Sequence, residues 1–223
     1  SWYKIRRTVL NTNGSRISSP ILDKCLDAGV THINISRHHY DEYLNQQIMS
    51  LRPEITNDKL IASILLVQKS DIALRLQCNL IRGYIDSVDE IISYLDWCSK
   101  FGIQQVSFSQ IFPLDLFDYS VFSGSYTRRV QVDLKSIIGE IDSRAEFLSL
   151  PNPLDENSHG GGGTSAWGSY KRRFWQYRGG TDFSVKTLSG YHSDGLPRET
   201  QYIKSHDPEL QEGLIAFAVV HAD

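Results

Sequence analysis

Strand and helix signals alternate along the first half of the chain, and this order constrains the fold more than any other feature. Residues 5–11, 31–36, 74–81 and 105–112 have the composition and periodicity of strands. Helix signals separate them: Ser18 and Pro20 begin one helix, and Ser87 and Glu90 form a capping box at the start of another. The alternation predicts a parallel sheet with right-handed crossovers, as a barrel or as an open doubly wound sheet.

The pattern changes beyond residue 112. Residues 134–141 predict a helix, and residues 172–177 and 183–188 flank Arg178-Gly179-Gly180, which predicts a β-hairpin. Residues 214–220 predict a further strand. The sequence therefore predicts two parts. Residues 1–112 form the parallel βα units, and residues 113–223 form a mostly antiparallel, hairpin-rich extension that closes or caps them.

Polar side chains alternate with apolar ones along three of the predicted strands. Because side chains alternate across a strand, the polar residues share one face. They are His32, Asn34 and Ser36, then Arg75, Gln77 and Asn79, then Gln105, Ser107 and Ser109. Burying so many polar groups without partners would cost a few kcal/mol each. The face is therefore either lined by a polar ligand or simply solvated, and the sequence leaves both interpretations open.

The overall composition excludes several classes of partner. The net charge of -3 gives no basic footprint, so no nucleic acid is indicated. No apolar run approaches the roughly 20 residues that span a bilayer, so no membrane partner is expected. Cys25, Cys78 and Cys98 are widely separated, which favours reduced thiols with packing roles in a cytoplasmic protein. The adjacent His38 and His39 point to opposite sides of an extended segment, and no metal site is predicted.

Three motifs and the fourth strand together resemble a known family. The motifs are Asn11-Thr12-Asn13-Gly14 after the first strand, residues 34–41 after the second and residues 78–87 after the third. In this order and at this βα spacing, they resemble the middle of the radical S-adenosylmethionine (SAM) superfamily, in the branch that includes the molybdenum-cofactor biosynthesis cyclase. The resemblance implies a partial (β/α) barrel, open at one side, with SAM lying across the carboxyl ends of the strands.

The resemblance also implies which residues contact ligands. Those expected near SAM are Thr12, Asn13, Ser36, Arg37, Gln77, Asn79 and Gly83. Those expected to contact a small-molecule substrate are His38, Ser109 and Gln110. Gln110 stands where many relatives carry a glutamate, and this difference leaves the substrate unassigned.

The chain departs from the family at the cofactor cluster. The family holds a 4Fe–4S cluster with a Cys-x-x-x-Cys-x-x-Cys loop, and this chain has neither that loop nor the family's glycine-rich SAM motif. The chain opens and closes on strand patterns, and its first strand corresponds to the family's third, so we expect both ends to be cuts in a longer protein and the chain alone to be inactive. The resemblance implies that the complete enzyme, with electrons from a reductant protein, would cleave SAM to a 5′-deoxyadenosyl radical. This radical would abstract a hydrogen atom from the substrate.

Two other functions stay open at this point. One is a cluster-free α/β module that binds a nucleotide-like ligand or a protein partner. The other is an ordinary α/β enzyme that acts on a small molecule without iron, which would require an active-site pocket with strongly perturbed acid or base groups.

Overall fold

The computed structural model describes residues 8–50, 55–111, 126–150 and 170–188, which form one mixed α/β structure. The strands are β1 (Val9–Thr12), β2 (His32–Ser36), β3 (Ala73–Leu80), β4 (Gln105–Gln110), β5 (Phe147–Leu150), β6 (Tyr170–Tyr177) and β7 (Thr181–Leu188). The helices are α1 (Ser19–Asp27), α2 (Glu42–Met49), α3 (Asn57–Gln68), α4 (Val88–Lys100) and α5 (Leu134–Ser143). The strand predicted at 214–220 lies outside the described residues.

The strands form one seven-stranded sheet in the order β1-β2-β3-β4-β7-β6-β5. The strands β1 to β4 and β7 pair in parallel, while β6 is antiparallel to both of its neighbours. The α/β class with a mostly parallel sheet is therefore confirmed. Among the described strands β1 and β5 are the two edges, so the barrel stays a prediction, as does the division at residue 112.

The predicted hairpin is confirmed, and the described strands of the extension pair antiparallel with one another, since β6 is antiparallel to β5 and to β7. Strands β6 and β7 are joined by the turn at Arg178-Gly179-Gly180, in which Arg178 and Gly179 adopt φ of 46° and 69°. Strand β7 then lies parallel to β4, with Ser184 beside Ser107. Strand β7 therefore joins the extension to the parallel strands, and β6 and β5 continue the same sheet in antiparallel pairing.

Side-chain caps begin most of the helices. The Asp41 carboxylate accepts a hydrogen bond from Leu44 N at 2.9 Å, and Ser87 Oγ accepts one from Glu90 N at 3.3 Å. These bonds satisfy backbone donors that the first turn of a helix leaves free. The predicted capping box is only half formed, because the Glu90 carboxylate instead accepts a hydrogen bond from the Tyr40 hydroxyl at 3.1 Å.

The core lies on one side of the sheet. Ile33, Ile35, Leu76, Val106 and Phe108 are buried on the strands, and they belong to one cluster with side chains from four helices. The helical contributors include Leu22 of α1, Ile64 of α3, Leu95 of α4 and Ile141 of α5. Full burial of each such side chain stabilises the fold by about 1.5–3 kcal/mol. These helices therefore pack on the apolar face and leave the polar face of the strands on the opposite side.

The turn after β1 is held against the next strand. Gly14 adopts a φ of +83°, and a Cβ at this position would lie 3.2 Å from Ile35 Cγ2. The Gly14 carbonyl also accepts a hydrogen bond from Ser63 Oγ of α3 at 3.1 Å. The turn that follows β1 is thus fixed at one position, at the carboxyl end of the sheet.

We predict that Gly14→Ala destabilises the protein more than Gly29→Ala. Both glycines have a left-handed backbone, at φ +83° and +73°, which costs about 1–2 kcal/mol for an L-residue. Only the Cβ at position 14 meets a neighbour, since nothing lies within 4 Å of the one at position 29. Urea denaturation of the two variants measures the difference, and equal losses of stability would contradict the close approach to Ile35.

Candidate functional site

The polar face of the strands is the candidate ligand surface, because the described helices pack on the opposite, apolar face. Along β2 half-buried and buried side chains alternate as the sequence predicts, with Ile33 and Ile35 on the helix side. We define the polar surface as the side chains of Asn11, Asn34, Ser36, Arg75, Gln77, Asn79, Ser107, Ser109 and Ser184. Strand register makes these residues neighbours across five strands.

The polar surface is arranged in rows across the sheet. The middle row runs over four adjacent strands and consists of Ser36, Gln77, Ser107 and Ser184. One step nearer the carboxyl ends, Asn79 lies beside Ser109. Ser184 Oγ donates to Ser107 Oγ at 3.4 Å, and both serines are buried. Side chains from separate parts of the sequence thus form one continuous array of amides and hydroxyls.

Two atoms of the polar surface are buried without a hydrogen-bond partner among the described residues. They are Asn34 Oδ1 and Ser109 Oγ. The other end of the Asn34 amide is satisfied, because its Nδ2 donates to Asn11 Oδ1 at 2.8 Å. An unsatisfied buried polar atom costs about 1–3 kcal/mol. Both atoms are therefore positions at which a polar ligand atom would be favoured.

Arg37 does not lie on the polar surface. Its guanidinium is 1% exposed and lies on the helix side, with its Cζ 5.6 Å from the Trp97 ring centroid. Its Nη2 donates to Asn57 Oδ1 at 2.6 Å and to the Tyr40 carbonyl at 3.2 Å. Burial lowers the pKa of this guanidinium. The structure thus separates Arg37 from its neighbour Ser36, and the side chain fastens the loop after β2 to α3.

The loop after β2 is tied to β3 and α4 through its backbone. Arg37 N donates to the Gln77 carbonyl at 2.9 Å, and the Arg37 carbonyl accepts from the Tyr94 hydroxyl at 2.9 Å. Tyr94 is fully buried in α4. The residues that follow Arg37 therefore leave the sheet from a fixed point.

His38 occupies the carboxyl end of β2. Its Nδ1 accepts a hydrogen bond from Asn79 N at 3.0 Å, and its own N–H donates to Asn45 Oδ1 at 2.8 Å. Burial, together with the nearby Arg37 guanidinium, lowers the pKa of His38 to about 4. The ring is therefore neutral at physiological pH.

His39 has a separate environment from His38, as their adjacency predicts. Its Nδ1 accepts from Asp41 N at 2.9 Å, and its ring packs against that of Tyr40 with centroids 4.5 Å apart. Within the described part of the chain, no group of three or more His, Cys, Asp or Glu side chains could hold a metal ion. The hydrogen bonds of the two histidines therefore shape the loop.

Most of the other predicted site residues lie in the loops at the carboxyl ends of the strands. Thr12 Oγ1 accepts from Gly14 N at 3.1 Å, and Asn13 Oδ1 accepts from Ser15 N at 2.9 Å. Gly83 adopts a φ of +85°, and its N–H donates to Asp86 Oδ2 at 2.6 Å. These contacts give the loops their shape. Whether the same residues also touch SAM stays a prediction.

Gln110 is engaged at the end of β4. Its Nε2 donates to the Val132 carbonyl at 3.0 Å, and Arg82 N donates to the Val130 carbonyl at 2.9 Å. These bonds hold the segment before α5 across the ends of β3 and β4. The predicted role of Gln110 in substrate binding is untested, but its amide nitrogen already has a structural partner.

Five members of the polar surface are not among the predicted contacts, namely Asn11, Asn34, Arg75, Ser107 and Ser184. Asn34 was on the predicted polar face, but nothing in the sequence distinguished it from its neighbours. Asn11 ends its predicted strand, and its register beside Asn34 identifies it. Ser184 had no sequence signal, because only the pairing of β7 with β4 brings it beside Ser107.

The cysteines do not fit an iron–sulfur cluster. Cys78 and Cys98 are buried in the apolar core, and Cys25 is half-buried on α1. Burial raises the pKa of all three thiols. A cluster needs thiolates that converge on one site, whereas these are neutral thiols on the apolar side of the sheet. No step that depends on a cluster is therefore assigned to these residues.

Comparisons with known proteins give limited similarity. No protein-family model matches the chain, and no curated protein matches it. Two similar solved structures are those of Streptococcus suis SuiB, one bound to S-adenosylmethionine, with TM-scores of 0.42 and 0.43 and 17% identity. Each match covers 61% of this chain and 29% of SuiB. Similarity at this level is too low to transfer a ligand or an activity to this chain.

None of the helices in the described ranges has both the length and the apolar character required to cross a bilayer.

We predict that Tyr94→Phe destabilises the protein by about 1–3 kcal/mol, because the buried Arg37 carbonyl would lose its hydroxyl donor. Tyr43→Phe is the matched control, since Tyr43 is 70% exposed on α2. It should change the free energy of unfolding by at most about 0.5 kcal/mol. Chemical denaturation followed by circular dichroism measures both values. Equal effects at the two positions would show that the Tyr94 hydroxyl does not anchor the loop.

We predict that the folded protein offers one reactive thiol, which belongs to Cys25. Cys78 and Cys98 are buried and their pKa values are raised, so neither exposes a thiolate. Titration with Ellman's reagent should give one slow equivalent in buffer and 3 equivalents in denaturant, as the sequence contains 3 cysteines. Cys25→Ser should abolish the slow equivalent. Fast reaction of all thiols in buffer would contradict these placements.

Proposed function

We propose that this chain is the SAM-binding portion of a radical SAM enzyme and that the polar surface holds SAM at the carboxyl ends of the strands. The observation that carries the proposal is the pair of buried atoms without partners, Asn34 Oδ1 and Ser109 Oγ, on a face that the described helices leave open. Ligands of open α/β sheets bind outside the carboxyl ends of the strands. The motifs that resemble the radical SAM superfamily lie at these same strand ends.

The chemistry of the polar surface suits a ligand with mixed polar groups. SAM carries an ammonium group, a carboxylate, ribose hydroxyls and an adenine ring. The amides of Gln77 and Asn79 and the hydroxyls of Ser36 and Ser109 can each donate and accept hydrogen bonds. We assign Ser36, Gln77 and Asn79 to SAM. Ser36 lies beside Gln77 in the middle row, and Asn79 follows Gln77 on the same face of β3.

The other predicted contacts receive different roles in this proposal. Thr12 and Asn13 shape the turn after β1, and Gly83 shapes the loop over which the adenine would pack. Arg37 holds the loop after β2 from the helix side. Ser109 and Gln110 lie at the end of β4, where SAM and a small-molecule substrate would meet, so the Ser109 hydroxyl can bond to SAM and Gln110 can face the substrate.

The proposal for this chain ends at SAM binding. The radical reaction needs a 4Fe–4S cluster, and the positions of Cys25, Cys78 and Cys98 do not fit one. The chain spans 29% of the SuiB chain. The substrate, the reductant protein and the hydrogen abstraction are therefore proposals about the whole protein, as is its cytoplasmic location.

One observation favours a second candidate function, a cluster-free module that binds a nucleotide-like ligand. All three cysteines are on the helix side, so the polar surface is formed without any metal-binding group among the described residues. Such a module would recognise the adenosine part of a ligand and would not require the amino acid part of SAM.

Isothermal titration calorimetry of the chain with SAM tests the proposal. We expect saturable binding, weakened by roughly three- to tenfold in Gln77→Ala, since one net hydrogen bond contributes about 0.5–1.5 kcal/mol. Gln47→Ala is the matched control, because Gln47 is exposed on α2. It should bind SAM like the wild type.

The ligand series separates the two candidates. SAM that binds more tightly than adenosine supports the radical SAM assignment, because the extra affinity must come from the amino acid part. Equal affinity for adenosine and SAM favours the nucleotide-binding module. Failure of the wild-type chain to bind either compound, or equal affinities of Gln77→Ala and Gln47→Ala for SAM, would overturn the assignment of the polar surface.

A further inference from the structure

We propose that His38 presents its Nε2–H as a fixed hydrogen-bond donor to an oxygen atom of the bound SAM, either a ribose hydroxyl or the carboxylate. This inference rests on the proposed function and adds a residue to it. The family resemblance implies a substrate contact for His38. The structure instead ties the ring to Asn79, which we assign to SAM.

The hydrogen bond to Asn79 fixes which ring nitrogen carries the proton. A backbone N–H can only donate, so His38 Nδ1, which lies 3.0 Å from Asn79 N, must accept. A neutral imidazole that accepts at one nitrogen carries its hydrogen on the other. The Nε2 of His38 is therefore a donor, and its hydrogen has no acceptor among the residues that the structure describes.

The ring takes the place of a backbone acceptor at the end of the sheet. The ladder between β2 and β3 continues as far as Arg37 N, which donates to the Gln77 carbonyl at 2.9 Å. The next donor on β3 that faces β2 is Asn79 N, and it meets the His38 ring instead of a carbonyl. The imidazole thus continues the ladder for one more step, at the point where the polar surface ends.

The position of the ring is rigid. The backbone N–H of His38 donates to Asn45 Oδ1 at 2.8 Å, and its carbonyl accepts from Cys78 Sγ at 3.6 Å. The ring, Asn79 and Ser109 therefore follow one another across three strands at the carboxyl edge. A donor fixed on both sides in this way loses little conformational entropy when it binds a ligand.

Burial, and then the nearby charge of Arg37, keep the His38 ring neutral. The Arg37 guanidinium, on the helix side of the same segment, is the charge that acts on His38, while the buried Cys78 thiol of β3 stays uncharged because burial raises its pKa. A second proton on the ring would meet Arg37 and would break the bond from Asn79 N. The donor is therefore present throughout the neutral pH range.

Two substitutions separate ligand contact from a purely structural role. An asparagine side chain places its oxygen near the Nδ1 position, so His38→Asn keeps an acceptor for Asn79 N and lacks the distal donor. A glutamine side chain places its amide near the Nε2 position, so His38→Gln keeps a distal donor. His32→Asn is the control, because His32 lies at the opposite end of the same strand.

Calorimetry with SAM should show a loss of affinity of roughly tenfold in His38→Asn. His38→Gln should recover part of the loss, and His32→Asn should bind like the wild type. Titration with adenosine then identifies the oxygen. A loss in His38→Asn that persists with adenosine assigns the ribose, and a loss seen only with SAM assigns the carboxylate.

The protonation of the His38 ring can also be measured directly in the wild-type protein. Long-range ¹H–¹⁵N spectra should show the His38 ring protonated at Nε2 alone down to about pH 5, one unit above its pKa of about 4. Saturation with SAM should change the chemical shifts of the His38 Nε2 and of its proton. A ring signal that SAM leaves unchanged, or His38→Asn that folds and binds SAM like the wild type, would overturn this inference alone. A wild-type chain that does not bind SAM would overturn the proposed function as well.

Discussion

The rest of the structure depends on the burial of the apolar strand faces beneath the helices. Ile35, Leu76 and Phe108 alternate with polar residues, so the face that packs on α3 and α4 determines where every polar side chain goes. A shift of one residue in any strand would exchange the two faces and would bury several amides beneath the helices. The register that satisfies the core is therefore the register that assembles the polar surface.

The carboxyl ends of the strands are held separately from the core. Arg37 and His38 leave β2 in opposite directions, one towards Asn57 and the helices and the other towards Asn79 and the sheet edge. Tyr94 joins the two sides, because its hydroxyl binds the carbonyl between them. The position of the loop after β2 thus depends on these three hydrogen bonds, in which Asn57, Asn79 and Tyr94 are neutral partners. The Arg37 guanidinium contacts the Asn57 side-chain oxygen, the Tyr40 carbonyl and the Trp97 ring.

Alternation within strands could be predicted from the sequence, and pairing between distant strands could not. Local periodicity placed Asn34, Gln77 and Ser109 on one face, and local residue types identified Ser87 as a helix cap. Ser184 lies far along the chain from Ser107, and no local pattern records the pairing of β7 with β4. The hydrogen-bond partner of a long side chain is equally difficult to predict from the sequence. Glu90 satisfies the rule for a capping box, but its carboxylate finds the Tyr40 hydroxyl because α4 packs beside the loop after β2.

The separation between the two faces also explains how this chain can resemble a radical SAM protein while its cysteines serve packing alone. Cys78 and Asn79 are consecutive, so the strand geometry sends the thiol into the core and the amide to the polar surface. The thiol can therefore be optimised as a small apolar group, and the amide as a ligand contact, without one constraining the other. The SAM contacts that we propose depend on strand register and on the His38 ring, and neither of these requires iron.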